Sequence, residues 1–306
     1  MNPTTAASVD AIVCAPDVSR KAERIAARLG IEFRTIGVHA FPDGESLVTI
    51  AMRCAHPAIY IDLHRPNPKL MDLLLAADAL RDQGAMAITL IAPYLPYMRQ
   101  DRAFHPGEAV SQRTFGRMIA AHFDRVVTVD PHLHRTARLE YVFDGKSSIV
   151  LSAAGAMAMH ARSQGCDREA LVMGPDEESL PMATAVAAAL GAEAAVATKQ
   201  RLGDRTIRMA LPDGLKIRGR HVIIVDDIVS SGATLANLVS ALNEGDARII
   251  DIYVTHALCD AVAVMGLHAA GARSVITSDT VEHATNGISM EREIARALVQ
   301  PLEMRP

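Results

Sequence analysis

Short apolar, β-rich runs alternate with longer helical patterns along this chain, and no other feature constrains its fold as tightly. The runs fall at 11–15, 58–62, 87–92, 125–130, 170–173, 221–226 and 249–255. Most are apolar throughout rather than at every second position. That is the pattern of strands buried on both faces of a parallel sheet. Between them, 69–82, 110–121, 179–190 and 233–243 carry helical periodicity. This alternation predicts βαβ units and an α/β fold, doubly wound, with mostly parallel sheets. In such sheets ligands bind beyond the carboxyl ends of the strands. The residues that follow each run are therefore the ones to read for chemistry.

A chain of 306 residues suggests two domains. No low-complexity linker divides it. The best-marked boundary is the Gly, Lys and two serines within 144–148, which separates 1–146 from 147–306. Each half has an apolar strand running into acidic residues, at 126–130 and 222–227. The net charge of −4, from 31 basic and 35 acidic residues, gives no electrostatic footing for nucleic acid or an anionic membrane as main partner. The most apolar stretch, 180–198, is broken by Gly191 and carries Glu193, so it reads as helix, turn and strand rather than a membrane span. The first ten residues lack the basic start and apolar core of a signal peptide. Cys14, Cys54, Cys166 and Cys259 form no CxxC pair and read as small hydrophobes of a reducing compartment. A cytoplasmic location is expected.

The most informative segment is Val222-Ile-Ile-Val-Asp-Asp-Ile-Val-Ser-Ser-Gly-Ala-Thr234. Four apolar residues form a strand, and the carboxylates Asp226 and Asp227 are expected at its end. The turn of Ser230, Ser231, Gly232, Ala233 and Thr234 then opens a helix. Backbone N–H groups, hydroxyls and a helix N-terminus together make an anion site. Gly232 permits positive φ and close approach of a phosphate. Asp226 and Asp227 can accept hydrogen bonds from a vicinal diol such as that of ribose. A simple helix cap would need only one such side chain. The segment resembles the phosphoribosyl-diphosphate signature of the type I phosphoribosyltransferase fold. That signature points to a sugar phosphate without choosing the reaction.

Four further segments narrow the reading. Phe41-Pro-Asp-Gly-Glu45 offers an aromatic face for a base and carboxylates for an exocyclic amine, although alone it reads as a turn. Pro93-Tyr-Leu-Pro-Tyr-Met-Arg-Gln-Asp-Arg102 follows the run ending at Ala92. It carries Arg99, suited to bidentate phosphate contact, with Gln100 and Asp101 beside it. Asp130-Pro-His-Leu-His134 puts His132 after another strand. Lys199-Gln-Arg201 places two cations on one side of an extended chain, where they can neutralise charge on phosphoryl oxygens. Together these segments resemble, in order, the F-x-D-G-E, P-Y-x-x-Y-x-R-Q-D-R, D-x-H and K-x-R elements of the ribose-phosphate pyrophosphokinases. The archaeal-type branch is the nearest in style. Gly174-Pro-Asp-Glu-Glu-Ser179 falls where that family has S-P-D-x-G-G.

The resemblance implies two phosphoribosyltransferase-like domains, 1–146 on the ATP side and 147–306 on the ribose 5-phosphate side. It implies that the β,γ-pyrophosphoryl group of MgATP moves to the anomeric hydroxyl of ribose 5-phosphate. ATP would be held by Phe41, Asp43, Glu45, Arg99, Gln100, Asp101 and His132, and ribose 5-phosphate by Asp226, Asp227 and residues 230–234. Lys199 and Arg201 would be catalytic, on a segment 199–205 that is mobile without ligand. His132 and Asp176 would serve the magnesium, Asp176 contacting the ribose as well and His132 acting mainly by hydrogen bonding or through water. The F-x-D-G-E segment would reach a neighbouring subunit's ATP site, so a homo-oligomer built from dimers is expected. Two departures stand out. Glu177 and Glu178 add negative charge beside a polyphosphate, and Arg135-Thr-Ala-Arg-Leu-Glu140 replaces the family's Q-I-Q-G-F-F. A base phosphoribosyltransferase would share 222–234 but has no need of Phe41 to Glu45 or Arg99 to Arg102. A non-catalytic regulatory paralogue would have no need of both Lys199 and Arg201.

Overall fold

The computed structural model describes residues 8–133, 135–201 and 207–302; of Gln200, Arg201, Ile207 and Arg208 only the backbone is described. His134 and residues 202–206, most of the segment expected to be mobile, lie outside the described residues. The chain divides into two compact units, Met1–Leu151 with Glu291–Pro306, and Ser152–Met290.

The first unit contains β1 (Ala11–Cys14), α1 (Ser19–Leu29), β2 (Glu32–Thr35), β3 (Gly37–Ala40), β4 (Ser46–Thr49), β5 (Pro57–Tyr60), α2 (Asn67–Asp82), β6 (Thr89–Ile91), α3 (Ser111–His122), β7 (Arg125–Val129) and β8 (Ser147–Leu151). Its six-stranded sheet runs β2-β1-β5-β6-β7-β8, every pair parallel. β1, β5, β6 and β7 are buried along their whole length, as expected of central strands covered by helices on both faces. The core gathers Val13, Ile59, Leu73, Leu80, Leu90 and Phe115 from these strands and from α2 and α3, with Phe123 just past the end of α3.

The second unit contains α4 (Ala154–Ser163), β9 (Leu171–Gly174), α5 (Leu180–Leu190), β10 (Glu193–Val196), β11 (Thr198–Arg201), β12 (Ile207–Ala210), β13 (His221–Val229), α6 (Ala233–Glu244), β14 (Ile249–Ala257), α7 (Ala261–Ala269), β15 (Ser274–Ser278) and β16 (Asn286–Ile288). Its sheet, also parallel, runs β10-β9-β13-β14-β15-β16. The chain ends in α8 (Glu291–Leu298), whose Ile294, Ala295, Ala297 and Leu298 are buried. The two sheets share one topology. In each, the first strand adds a neighbour on one side and the chain then returns to its other side. The switch points lie between β1 and β5 and between β9 and β13.

The division drawn from the sequence differs from these units in two ways. Ser147–Leu151 pairs with β7 and completes the first sheet, so the break falls after Leu151. Helix α8, at the far end of the chain, belongs to the first unit, where Glu291 pairs with Arg24 of α1. One strand is also longer than expected. β13 does not end at Asp226 but continues to Val229, because Asp226, Ile228 and Val229 stay in register with Val254, His256 and Ala257 of β14. The four cysteines are free, and burial pushes the Cys14, Cys54 and Cys166 thiols up to about 11. Among the described residues no helix is long and apolar enough to cross a membrane.

Candidate active site

The switch point of the second unit collects the charged residues. β9 ends at Gly174, and Pro175 carries the chain to Asp176, half-buried at the head of a short 3-10 turn, Glu177–Ser179. On the neighbouring strand stand Asp226 and Asp227, also half-buried. Lys199 comes from β11 of the β11–β12 hairpin, and its Nζ lies 2.8 Å from Asp176 Oδ2. Burial pushes the Asp226 carboxyl well above its usual range, Asp227 and Asp176 push it further, and the Asp227 N–H and Lys199 pull it back. The Asp227 N–H donates to Asp226 Oδ1 at 3.0 Å. A cavity of about 350 Å³ opens beside this group, lined by Asp176, Glu177, Glu178, Ala197, Thr198 and Lys199.

The loop after β13, expected to hold a phosphate, turns on a glycine. Ser230 and Ser231 are exposed, Gly232 is buried with φ +73°, and α6 starts at Ala233. The Ala236 N–H turns back to Gly232 O at 2.8 Å. A Cβ on Gly232 would meet Leu267 only at ordinary contact distance, 3.5 Å, so glycine is needed here for its backbone and not for space.

The residues expected to hold a nucleotide are dispersed over the first unit. Phe41, Asp43 and Glu45 form the loop of the β3–β4 hairpin, whose ladder closes at Ala40 and Ser46. The Phe41 N–H donates to Glu45 O at 2.8 Å, and the Glu45 N–H donates to Asp43 Oδ1 at 3.1 Å. Phe41 is 42% exposed and its ring meets the edge of His39, centroids 4.9 Å apart. Arg99, Gln100 and Asp101 follow β6, and His132 follows β7, so all sit past carboxyl ends. Arg99 is exposed. Gln100 Oε1 accepts from Ser111 Oγ at 2.6 Å. Asp101 is already engaged, since Arg135 Nη1 lies 3.0 and 3.2 Å from its two oxygens. The sequence reading missed this partner, although Arg135 belongs to one of the departures noted there. It also missed Ser179, whose only sequence signal is its position three residues after Asp176, the spacing of a capping pair.

Asp176, Lys199, Asp226 and Asp227 are thus brought together. The Arg201 side chain lies outside the described residues. His132 and Asp176 belong to different units. Among the described residues no group of three or more His, Cys, Asp or Glu converges to hold a metal by itself. Magnesium rarely needs such a cage; it takes one or two carboxylates and completes its shell with phosphate oxygens and water. The crowded carboxylates of Asp176, Asp226 and Asp227 are hard oxygen donors whose mutual repulsion a cation relieves, so these residues fit that ion.

The chain is similar to known proteins along most of its length. Residues 11–122 match the family described as the N-terminal domain of ribose phosphate pyrophosphokinase, and residues 148–292 match the phosphoribosyl transferase domain. A ribose-phosphate pyrophosphokinase of Methanopyrus kandleri is 32% identical over 277 residues, covering 90% of this chain and 94% of that one. One from Halobacterium salinarum is 33% identical over 281 residues, covering 90% and 96%. Among solved structures, phosphoribosylpyrophosphate synthetase from Mycobacterium smegmatis matches with a TM-score of 0.81 at 25% identity, covering 94% and 97%.

Proposed function

This chain belongs to the ribose-phosphate pyrophosphokinase family, and from that premise we propose that it transfers the β,γ-pyrophosphoryl group of ATP to the anomeric hydroxyl of ribose 5-phosphate, releasing AMP. The observation that carries the reading is the Lys199 ammonium resting on Asp176, beside Asp226 and Asp227 at a sheet switch point.

Asp226 and Asp227 accept hydrogen bonds from the ribose hydroxyls, and the N–H groups and hydroxyls of residues 230–234 hold the 5-phosphate. Phe41 stacks on the base, and Asp43 and Glu45 accept from its amine. Arg99 grips the triphosphate, and Gln100 and Asp101 line its path. Asp176 would hold the magnesium, and His132, on the ATP side, would act by hydrogen bond or through water. That ion supplies charge neutralisation on the phosphoryl oxygens when bound. Lys199 and Arg201 add positive charge where it develops as the ribose oxygen attacks the β-phosphorus and AMP leaves. This reaction class needs positioning and neutralisation rather than covalent catalysis. A homo-oligomer, in which Phe41 to Glu45 serve the ATP site of a neighbouring subunit, and a cytoplasmic location belong to the same reading.

The test is AMP release from MgATP and ribose 5-phosphate. Wild type is expected to turn over, and Lys199→Ala to lose roughly 100- to 1000-fold in kcat, as when a transition-state charge partner is removed. No AMP from wild type would favour a non-catalytic regulatory paralogue. Full activity in Lys199→Ala would reject its assigned role.

A further inference from the structure

Asp176 owes its place to one neighbour. We propose that Ser179 is a positioning residue for Asp176, and that Gly174 exists to make room for the Ser179 side chain. The proposal deepens the active-site reading and rests on the role given to Asp176 there.

Both backbone polar groups of Asp176 end on Ser179. The Asp176 N–H donates to Ser179 Oγ at 3.2 Å, and Ser179 Oγ donates to Asp176 O at 2.6 Å. The Ser179 N–H donates to the same carbonyl at 3.2 Å. Ser179 is 6% exposed, so little water is available to replace these bonds. Buried backbone groups need partners, and here one hydroxyl supplies two of them. The loop is thereby closed on itself, with the Asp176 carboxylate pointing to Lys199.

Space around that hydroxyl is fully used. A Cβ added to Gly174 would run into Ser179 Oγ, and would lie 3.0 Å from both Ser179 Cβ and Val196 Cγ1. A side chain at 174 therefore cannot share this space with the side chain of Ser179. In the order S-P-D-x-G-G the side chain stands first and glycine last. In Gly174-Pro-Asp-Glu-Glu-Ser179 the two have changed places. On this proposal the exchange moves the one side chain from the strand to the turn. The absent final glycine is thus one half of a compensated pair and not a defect in the loop.

A double-mutant cycle on the full chain tests this, using Gly174→Ser, Ser179→Gly and the combined variant. Gly174→Ser is expected to lower the thermal midpoint. The combined variant is expected to regain most of the loss, since the Ser179 side chain that obstructs the substituted position has gone. Additive losses would overturn the steric pairing. The hydroxyl is tested with Ser179→Ala, which keeps the Cβ. We expect its half-saturating magnesium concentration and its KM for ribose 5-phosphate to rise roughly tenfold, with a smaller change in KM for ATP, as when a reactive group is slightly misplaced. Unchanged magnesium and ribose 5-phosphate dependence in Ser179→Ala would overturn the positioning role. Asp176→Asn separates the two readings. Full activity there would sink the role of Asp176, whereas the thermal cycle would still decide whether 174 and 179 are coupled.

Discussion

Asp251 shows what a single carboxylate does away from the chemistry. It lies near the start of β14, 1% exposed, and is bound by His221 Nε2 at 2.7 Å, by Arg273 through two contacts and by Ser274 Oγ at 2.5 Å. Burial pushes its carboxyl up, but the hydrogen bonds from His221, Arg273 and Ser274 outweigh that and hold it well below the usual range. A folded-state value below the unfolded one stabilises the fold above the ordinary carboxylate value of about 3.9. That contribution disappears as pH falls below it. Asp251→Asn is therefore expected to melt below wild type at neutral pH, with the gap closing as pH drops below about 4. Melting curves across pH measure this, and a gap independent of pH would contradict it. Gly232 makes a different case. At φ +73° any side chain is strained, so Gly232→Ala should cost about 1–2 kcal/mol in urea denaturation. It should also raise KM for ribose 5-phosphate, because this residue lies in the proposed phosphate cradle.

At the scale of elements, two hairpins and two switch points divide the work. The β3–β4 hairpin carries Phe41 at its tip, and Val38 and Leu47 along it are exposed, at 40% and 51%. A stacked base is worth about 1–3 kcal/mol when the aromatic is removed. Phe41→Ala should accordingly raise KM for ATP roughly tenfold or more with little change in KM for ribose 5-phosphate. A KM for ATP equal to wild type would remove Phe41 from the nucleotide site. The switch points share a topology but not a chemistry. In the second unit, carboxylates converge beside a cavity and Lys199. In the first unit, Lys69 Nζ donates to Asp62 O at 2.7 Å and to Asp17 Oδ2 at 3.2 Å, tying the tips after β1 and β5 together. One topology occurs twice, and among the described residues the carboxylate cluster beside a lysine stands on the second copy.

For the whole molecule, the two units and the number of subunits make separate predictions. Helix α8 packs into the first unit although it follows the second in the chain. Ending the chain before residue 291 removes buried Ile294 and Leu298. Hydrogen exchange is then expected to speed up in α1 and β8 and to stay unchanged in β13 and β14. Uniform loss of protection would argue against two separate units. The proposed sharing of ATP sites predicts complementation. A Phe41→Ala subunit has an intact Lys199, and a Lys199→Ala subunit has an intact Phe41. Mixing the two impaired variants after dissociation, at an ATP concentration too low for Phe41→Ala alone, should restore part of the activity if Phe41 acts on a neighbour. No recovery would assign Phe41 to its own subunit.

Burial on both faces is written in each strand's own residues, so the central strands and the α/β class were legible without coordinates. The Asp226-Asp227 pair stood out by residue type alone, but its place within β13, which runs on to Val229, and that of Lys199 on the β11–β12 hairpin were not legible. Edge strands such as Glu32–Thr35 and Gly37–Ala40 carry mixed or exposed residues, and nothing local distinguishes them from loops. Pairing across distance has no local signature either. That Ser147–Leu151 closes the first sheet, that α8 returns to it and that Arg135 occupies Asp101 were decided by packing between segments far apart in the chain. The Gly174–Ser179 pair lies between these cases. Its residues stand five apart, and only the space around them shows that a side chain at 174 would run into Ser179.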